Sequence, residues 1–182
     1  MNNNPVALWK TCRVLANETR LNILRNLMHG TERCVLDIAR SENLTEVVAS
    51  QHLRRLHEHG FLQLKRKSKW AFYQAESPLK GSYAEYIFTP LKKKLIHGNN
   101  RTEDIFRVFT AFTHPRRIEI TKALLIRDHK FEELVFACDI SAQALYRHLN
   151  KLISRNFITQ KNEIYQITRY TYGLEKALLD AC

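Results

Sequence analysis

The chain has 182 residues, with 29 Lys and Arg against 18 Asp and Glu, a formal charge of +11 and a pI near 9.7. An apolar content of 45% with five Gly and four Pro excludes a disordered or collagen-like chain, and the longest apolar run, Leu134 to Cys138, is far too short to cross a bilayer. The charge points instead to an acidic polymer as partner, more strongly for residues 1–97 with a net +8 than for 98–182 with +3.

In chain order, Leu8, Cys12 and Leu15, then Leu21, Leu24, Leu27 and Met28, have the spacing of two helices, with Asn17 between them as a break and N-cap. Gly30 ends the second, Val35 to Ala39 suits a short third, and Thr45 can cap a fourth over about 45–59 that buries Ala49, Leu53 and Leu56. Past Gly60, Phe61 to Leu64 and Trp70 to Tyr73 read as two strands joined through Lys65, Arg66, Lys67, Ser68 and Lys69, a hairpin with a basic tip. Residues 79–97 carry Tyr83, Ile87, Leu91 and Leu95 four apart, with Pro90 as a kink or a second start. Helices near 103–113, 115–126, 131–138 and 141–155, a tight hairpin over 157–168 turning at Asn162 and Glu163, and a helix near 172–181 follow.

The second series repeats the first. A shift of 97 superposes Trp9, Cys12, Leu15, Arg20 and Leu21 on Phe106, Phe109, Phe112, Arg117 and Ile118, and a shift of 96 superposes His52, Leu53 and Leu56 on His148, Leu149 and Leu152. We therefore expect a mainly α protein with small β-hairpins, made of two tandem winged helix-turn-helix domains: 1–97, ending in an interface helix, and a divergent 98–182. Leu15 to Leu24 (LANETRLNIL), Val48 to Leu62 (VASQHLRRLHEHGFL) and the wing ending in Phe72 and Tyr73 resemble the ArsR-type family of bacterial and archaeal transcriptional repressors. Phe112 to Ile118 (FTHPRRI) and Ala144 to Leu152 (ALYRHLNKL) resemble it more loosely. The resemblance implies a sequence-specific regulator, a repressor by type, with double-stranded DNA as partner.

A helix fits the major groove, and the face away from its buried stripe then meets the bases. In the first copy that face offers Thr45, Ser50, Gln51 and Arg54, with His52 and Arg55 beside it, and the wing adds Lys65, Arg66, Lys67 and Lys69 as phosphate contacts. The second copy offers Gln143, Tyr146, Arg147 and Asn150, but its shorter wing keeps only Lys161 next to Glu163.

The metal-sensing members of the family hold ions through paired cysteines on the short helix, or through acidic and His ligands on the last. Here Leu36 stands where a second thiolate would follow Cys34, so no metal and no cofactor is expected. His52, His57 and His59 do not share one helical face. No phosphate-cradling, zinc-protease or nucleophile-elbow motif is present, so no catalytic residue is assigned and an enzyme is not expected. The four cysteines, Cys12, Cys34, Cys138 and Cys182, read as reduced thiols, and Met1 to Pro5 lacks the pattern of a secretory signal, so a cytoplasmic protein is expected. The competing reading is a tandem winged-helix protein-interaction scaffold, such as a chromosome-segregation accessory subunit. In the family the first and last helices form the dimer interface. The short link after His97 suggests an antiparallel pairing of the helices it joins, giving an intramolecular pseudo-dimer. A homodimer using Tyr83, Ile87 and Leu91 is the alternative.

Overall fold

The computed structural model describes residues 7–68, 70–76, 78–97 and 101–182. Lys69 of the expected wing and Gly98 to Asn100 of the link lie outside the described residues. The first copy is built from α1 (Leu8–Leu15), α2 (Glu18–Leu27), β1 (Arg33–Cys34), α3 (Val35–Ser41), α4 (Glu46–Glu58), β2 (Gln63–Lys67), β3 (Trp70–Gln74) and α5 (Tyr83–His97). The second runs α6 (Thr102–Thr110), α7 (Pro115–Ile126), β4 (His129–Lys130), α8 (Phe131–Ala137), α9 (Ala142–Ile153), β5 (Ile158–Lys161), β6 (Ile164–Ile167) and α10 (Leu174–Asp180). Each copy is a winged helix-turn-helix, so the fold is the expected tandem. Each wing is a three-stranded antiparallel sheet, in the order β1-β3-β2 or β4-β6-β5. The sequence reading found only the hairpins, because two-residue strands such as β1 and β4 leave no alternation to detect.

Local chemistry repeats along with the elements. Asn17 Oδ1 accepts the Arg20 N–H at 2.9 Å at the start of α2, and His114 Nδ1 accepts the Arg116 N–H at 3.2 Å at the start of α7. Thr45 and Ser141 cap α4 and α9 by accepting from Val48 N and Ala144 N. The carboxylates of Asp37 and Glu133 accept the N–H groups of Cys34 and Lys130, which precede α3 and α8. The turn between the two HTH helices places Asn43 and Asp139 at positive φ, and Gly60 (φ +79) and Asn156 (φ +62) both end the recognition helix in the left-handed region. At Gly60 a second reason applies: a Cβ would come within 2.9 Å of Leu79 Cβ, so the chain leaving the wing needs a glycine beneath it.

The aligned pair Arg20 and Arg117 holds the turn between the first two helices of each copy. Arg20 Nε donates to the Val14 carbonyl and a terminal nitrogen to that of Arg13; Arg117 Nε donates to the Ala111 carbonyl, and a terminal nitrogen to Thr110 O and Thr113 Oγ1. Both guanidinium groups thus satisfy carbonyls where the preceding helix stops. Arg117 is buried, so Arg117→Met should strand the Ala111 carbonyl, leave Thr110 O with only the bond from Thr113 Oγ1, and lower the unfolding free energy by about 2 to 4 kcal/mol. Denaturant unfolding checks this, and a loss under about 1 kcal/mol would mean water replaces the guanidinium.

The copies meet along one continuous core. Across them α1 and α2 pack on α6, and α5 packs on α10, so first helix meets first and last meets last. Lys94 on α5 pairs with Glu175 on α10, Arg13 donates to Thr113 O at 3.3 Å, and Thr102 Oγ1 lies 2.8 Å from Asn22 Oδ1. This corrects the expectation from the short link: α5 and α6 are sequence neighbours but not each other's main packing partner. The stripe on α5 is consumed inside the chain, with Ile87 and Leu91 fully buried and Tyr83 half-buried. Pro90 sits within a single helix and does not divide it. No described helix is long and apolar enough to cross a membrane.

Candidate nucleic-acid interface

Helix α4 buries Ala49, Leu53 and Leu56 and leaves Thr45, Ser50, Gln51, Arg54 and Arg55 exposed. Arg54 Nε donates to Glu58 Oε1 at 2.9 Å, one turn on, yet its side chain remains 78% exposed. An exposed pair of this kind contributes little to stability and leaves the guanidinium free to reorient. His52 departs from that face. It is half-buried, with Nδ1 3.5 Å from a terminal nitrogen of Arg20, and burial followed by Arg20 and Arg55 pushes its pKa down. The other two histidines go elsewhere: His57 Nδ1 meets the Leu62 carbonyl at 2.9 Å and His59 Nδ1 meets Thr11 Oγ1 at 3.2 Å. The three therefore form no common ligand set.

Lys65, Arg66 and Lys67 lie along a strand that runs up to the turn, Lys67 being its last residue. They belong to the edge strand β2, opposite Phe72, Ala71 and Trp70 of β3, and the described turn residue is Ser68 at φ +55. Strand alternation puts Lys65 and Lys67 on one face and Arg66 on the other. Lys67 bonds to Glu32, Lys65 Nζ lies 3.9 Å from the same carboxylate, and Lys65 donates to Gln74 Oε1 at 2.9 Å. The hydrogen bond from Lys67 pulls the Glu32 pKa down, so at neutral pH this anion sits among the wing cations.

In the second copy Gln143, Tyr146, Arg147 and Asn150 are all exposed on α9. Asn162 and Glu163 both take positive φ, closing the wing in a two-residue turn with Lys161 beside it. Beneath α9, His148 lies against His114, ring centroids 4.6 Å apart, and burial, then His114 and the arginines Arg117, Arg147 and Arg116, push the His148 pKa down to about 4. His114 shifts the same way. The His148 ring is thus held neutral in the folded protein near neutral pH. Its stabilising contribution is complete above the ordinary histidine value of 6.5 and is lost as pH falls towards about 4, and the shift of His114 acts in the same direction. The melting temperature should fall as pH is lowered through that window, and His148→Gln should flatten the decline; an equal decline in the variant would refute the assignment.

Cys12 lies fully buried with its thiol pushed up by burial and by Cys182, whose own pKa rises to about 12. The thiol that Cys12 feels is thus that of Cys182 in the second copy. Cys34 instead donates from Sγ to Asp37 Oδ2 at 3.2 Å, with Leu36 following it in α3. No group of three or more His, Cys, Asp or Glu among the described residues is placed to hold a metal ion.

Two helix-turn-helix units, each with a wing, in one chain define a tandem winged helix-turn-helix protein. The chain belongs to the family described as bacterial regulatory protein, arsR family, whose model matches residues 17–63 and 114–160, one stretch in each copy. It is 36% identical over 70 residues to an arsenical resistance operon repressor of Escherichia coli, a stretch covering 38% of this chain and 57% of that protein. A cadmium resistance transcriptional regulatory protein CadC homolog of Staphylococcus aureus is 27% identical over 94 residues, 52% of this chain and 72% of that one. An arsenic resistance transcriptional regulator of Pseudomonas putida is 31% identical over 62 residues, 34% of this chain and 48% of that one. The chain thus spans roughly half to three quarters of the length of these relatives.

Proposed function

We propose that the chain is a sequence-specific repressor of transcription, acting on double-stranded DNA in the cytoplasm. Helix α4 would enter the major groove with Thr45, Ser50, Gln51, Arg54 and Arg55, and β2 would follow the phosphates with Lys65, Arg66 and Lys67; Lys69 is assigned to the same role from the sequence. His52 is kept as a flanking residue near Arg20, where it would steady α4. On the second copy Gln143, Tyr146, Arg147 and Asn150 would meet a second half-site. The observation that carries this reading is that one copy holds both an exposed donor-rich face on α4 and a cationic edge strand β2. Footprinting of the full chain on the DNA upstream of its own coding sequence tests it, the expected result being a protected site that survives competitor DNA. No protection at any concentration would reject it. A protein-facing role for the second copy has one observation in its favour: Phe136 on α8 is 90% exposed. In that case the footprint would cover a single half-site.

We further propose that arsenite and cadmium do not release this DNA through a thiolate pair. Cys34 has Leu36 as its companion, and burial holds Cys12 and Cys182 as thiols. A gel-shift titration should show DNA retention at stoichiometric metal, whereas release abolished by Cys34→Ser would overturn the proposal.

A further inference from the structure

The first turn of α4 carries a residue that neither packing nor helix formation calls for. Val47 is 67% exposed, and a β-branched residue is a poor choice for a solvated helix. The fold does not demand it, since the aligned position of the second copy is Gln143, also exposed. Counting along α4, residues 47, 50, 51 and 54 fall at i, i+3, i+4 and i+7, so Val47 heads the row formed by Ser50, Gln51 and Arg54. It also lines a groove of about 490 Å³ between α3, α4 and β3, whose walls include Val35, Leu36, Ser50, Gln51 and Trp70. The indole of Trp70, 48% exposed, begins the strand that faces the cations of β2. A largely apolar concavity, with Glu46 also in its wall, thus opens beside the hydrogen-bonding side chains of Ser50 and Gln51.

The major groove of DNA has one prominent apolar feature, the 5-methyl group of thymine. We propose that Val47 is a specificity-determining residue that packs its methyl groups against a thymine methyl, with Ser50 and Gln51 meeting neighbouring base edges. The proposal rests on the DNA-binding reading above. Val47 and Gln51 are about 6 Å apart along the helix axis, so the thymine lies within about two base pairs of the base that Gln51 reads. Because Gln143 carries an amide where Val47 carries methyls, the thymine requirement belongs to the half-site of the first copy alone.

The test begins by selecting bound sequences from a random duplex pool with the full chain, then replacing each thymine of the selected site by deoxyuridine, which removes only the methyl. At one thymine the replacement should weaken binding by about fourfold, the effect of losing one buried methyl. Val47→Ala should reduce that thymine-to-uracil ratio to about one, and Val47→Thr, which keeps one methyl, should leave an intermediate ratio. Circular dichroism of both variants should match the parent, as expected for an exposed position. Val47→Ala retaining the parent's ratio, or no thymine showing a methyl dependence, would overturn the inference while leaving DNA binding intact. Failure to enrich any sequence would remove the inference together with the reading on which it rests.

Discussion

Replacing Lys65, Arg66 and Lys67 together by alanine is expected to weaken duplex binding about ten- to a hundredfold at moderate salt, on every sequence alike. Each neutralised phosphate contributes about 0.9 to the slope of log K against log salt, so losing three contacts should flatten that slope by up to about 2.7. The structure tempers the figure in two ways. Lys65 and Lys67 share a face with each other but not with Arg66, so one of the two sets must rotate or reach around the strand to the same phosphate row. Both lysines are also engaged with Glu32, which DNA must displace. Glu32→Gln should therefore shift affinity the opposite way, a few-fold tighter at low salt with the advantage fading as salt rises. Fluorescence anisotropy across a salt series reads both effects. An unchanged slope in the triple alanine variant would mean that β2 carries its cations only to deter pairing with another strand's edge.

The tandem arrangement was legible because each copy repeats the same apolar spacing and the same capping chemistry. Asn17, Thr45 and Arg20 each have a counterpart, in His114, Ser141 and Arg117, whose role is the same although the residue differs in two of the three cases. The two-residue strands β1 and β4 were not legible, since their pairing partners lie 38 to 40 residues and 34 to 36 residues away and nothing local marks them. The pairing of the copies was misread for a related reason. A short link constrains only where α6 begins, whereas the buried faces decide what it packs against, and those faces join like to like. At the candidate interface, residue type alone marks Gln51 and Arg54, whereas Val47, proposed above to meet a thymine methyl, is marked only by heading their i, i+3, i+4, i+7 row. His52 adds a feature that residue type alone does not give: its position beside the buried stripe places it half-inside, with Nδ1 near Arg20.

The second large effect concerns a residue far from either recognition helix. Leu178 is fully buried on α10, whose main packing partner is α5 of the other copy, beside the Lys94 and Glu175 ion pair. Leu178→Asp places a carboxylate in that seam and should cost at least about 3 kcal/mol of stability. We propose that the seam does the work of a dimer interface, so that one 21.4 kDa particle presents two unlike recognition helices to one asymmetric site. Binding through two linked half-sites gains about 10² to 10⁴ over one, and loosening the seam should forfeit most of that gain while leaving salt-dependent binding by the first copy. A footprint that shrinks to one half-site in Leu178→Asp, with light scattering at the single-chain mass for the parent, is the expected result. The rival arrangement, a homodimer of tandem chains, finds Ile87 and Leu91 already buried within one chain and would need a different surface. A parent particle of twice the mass on a palindromic site would establish that rival and reject the pseudo-dimer.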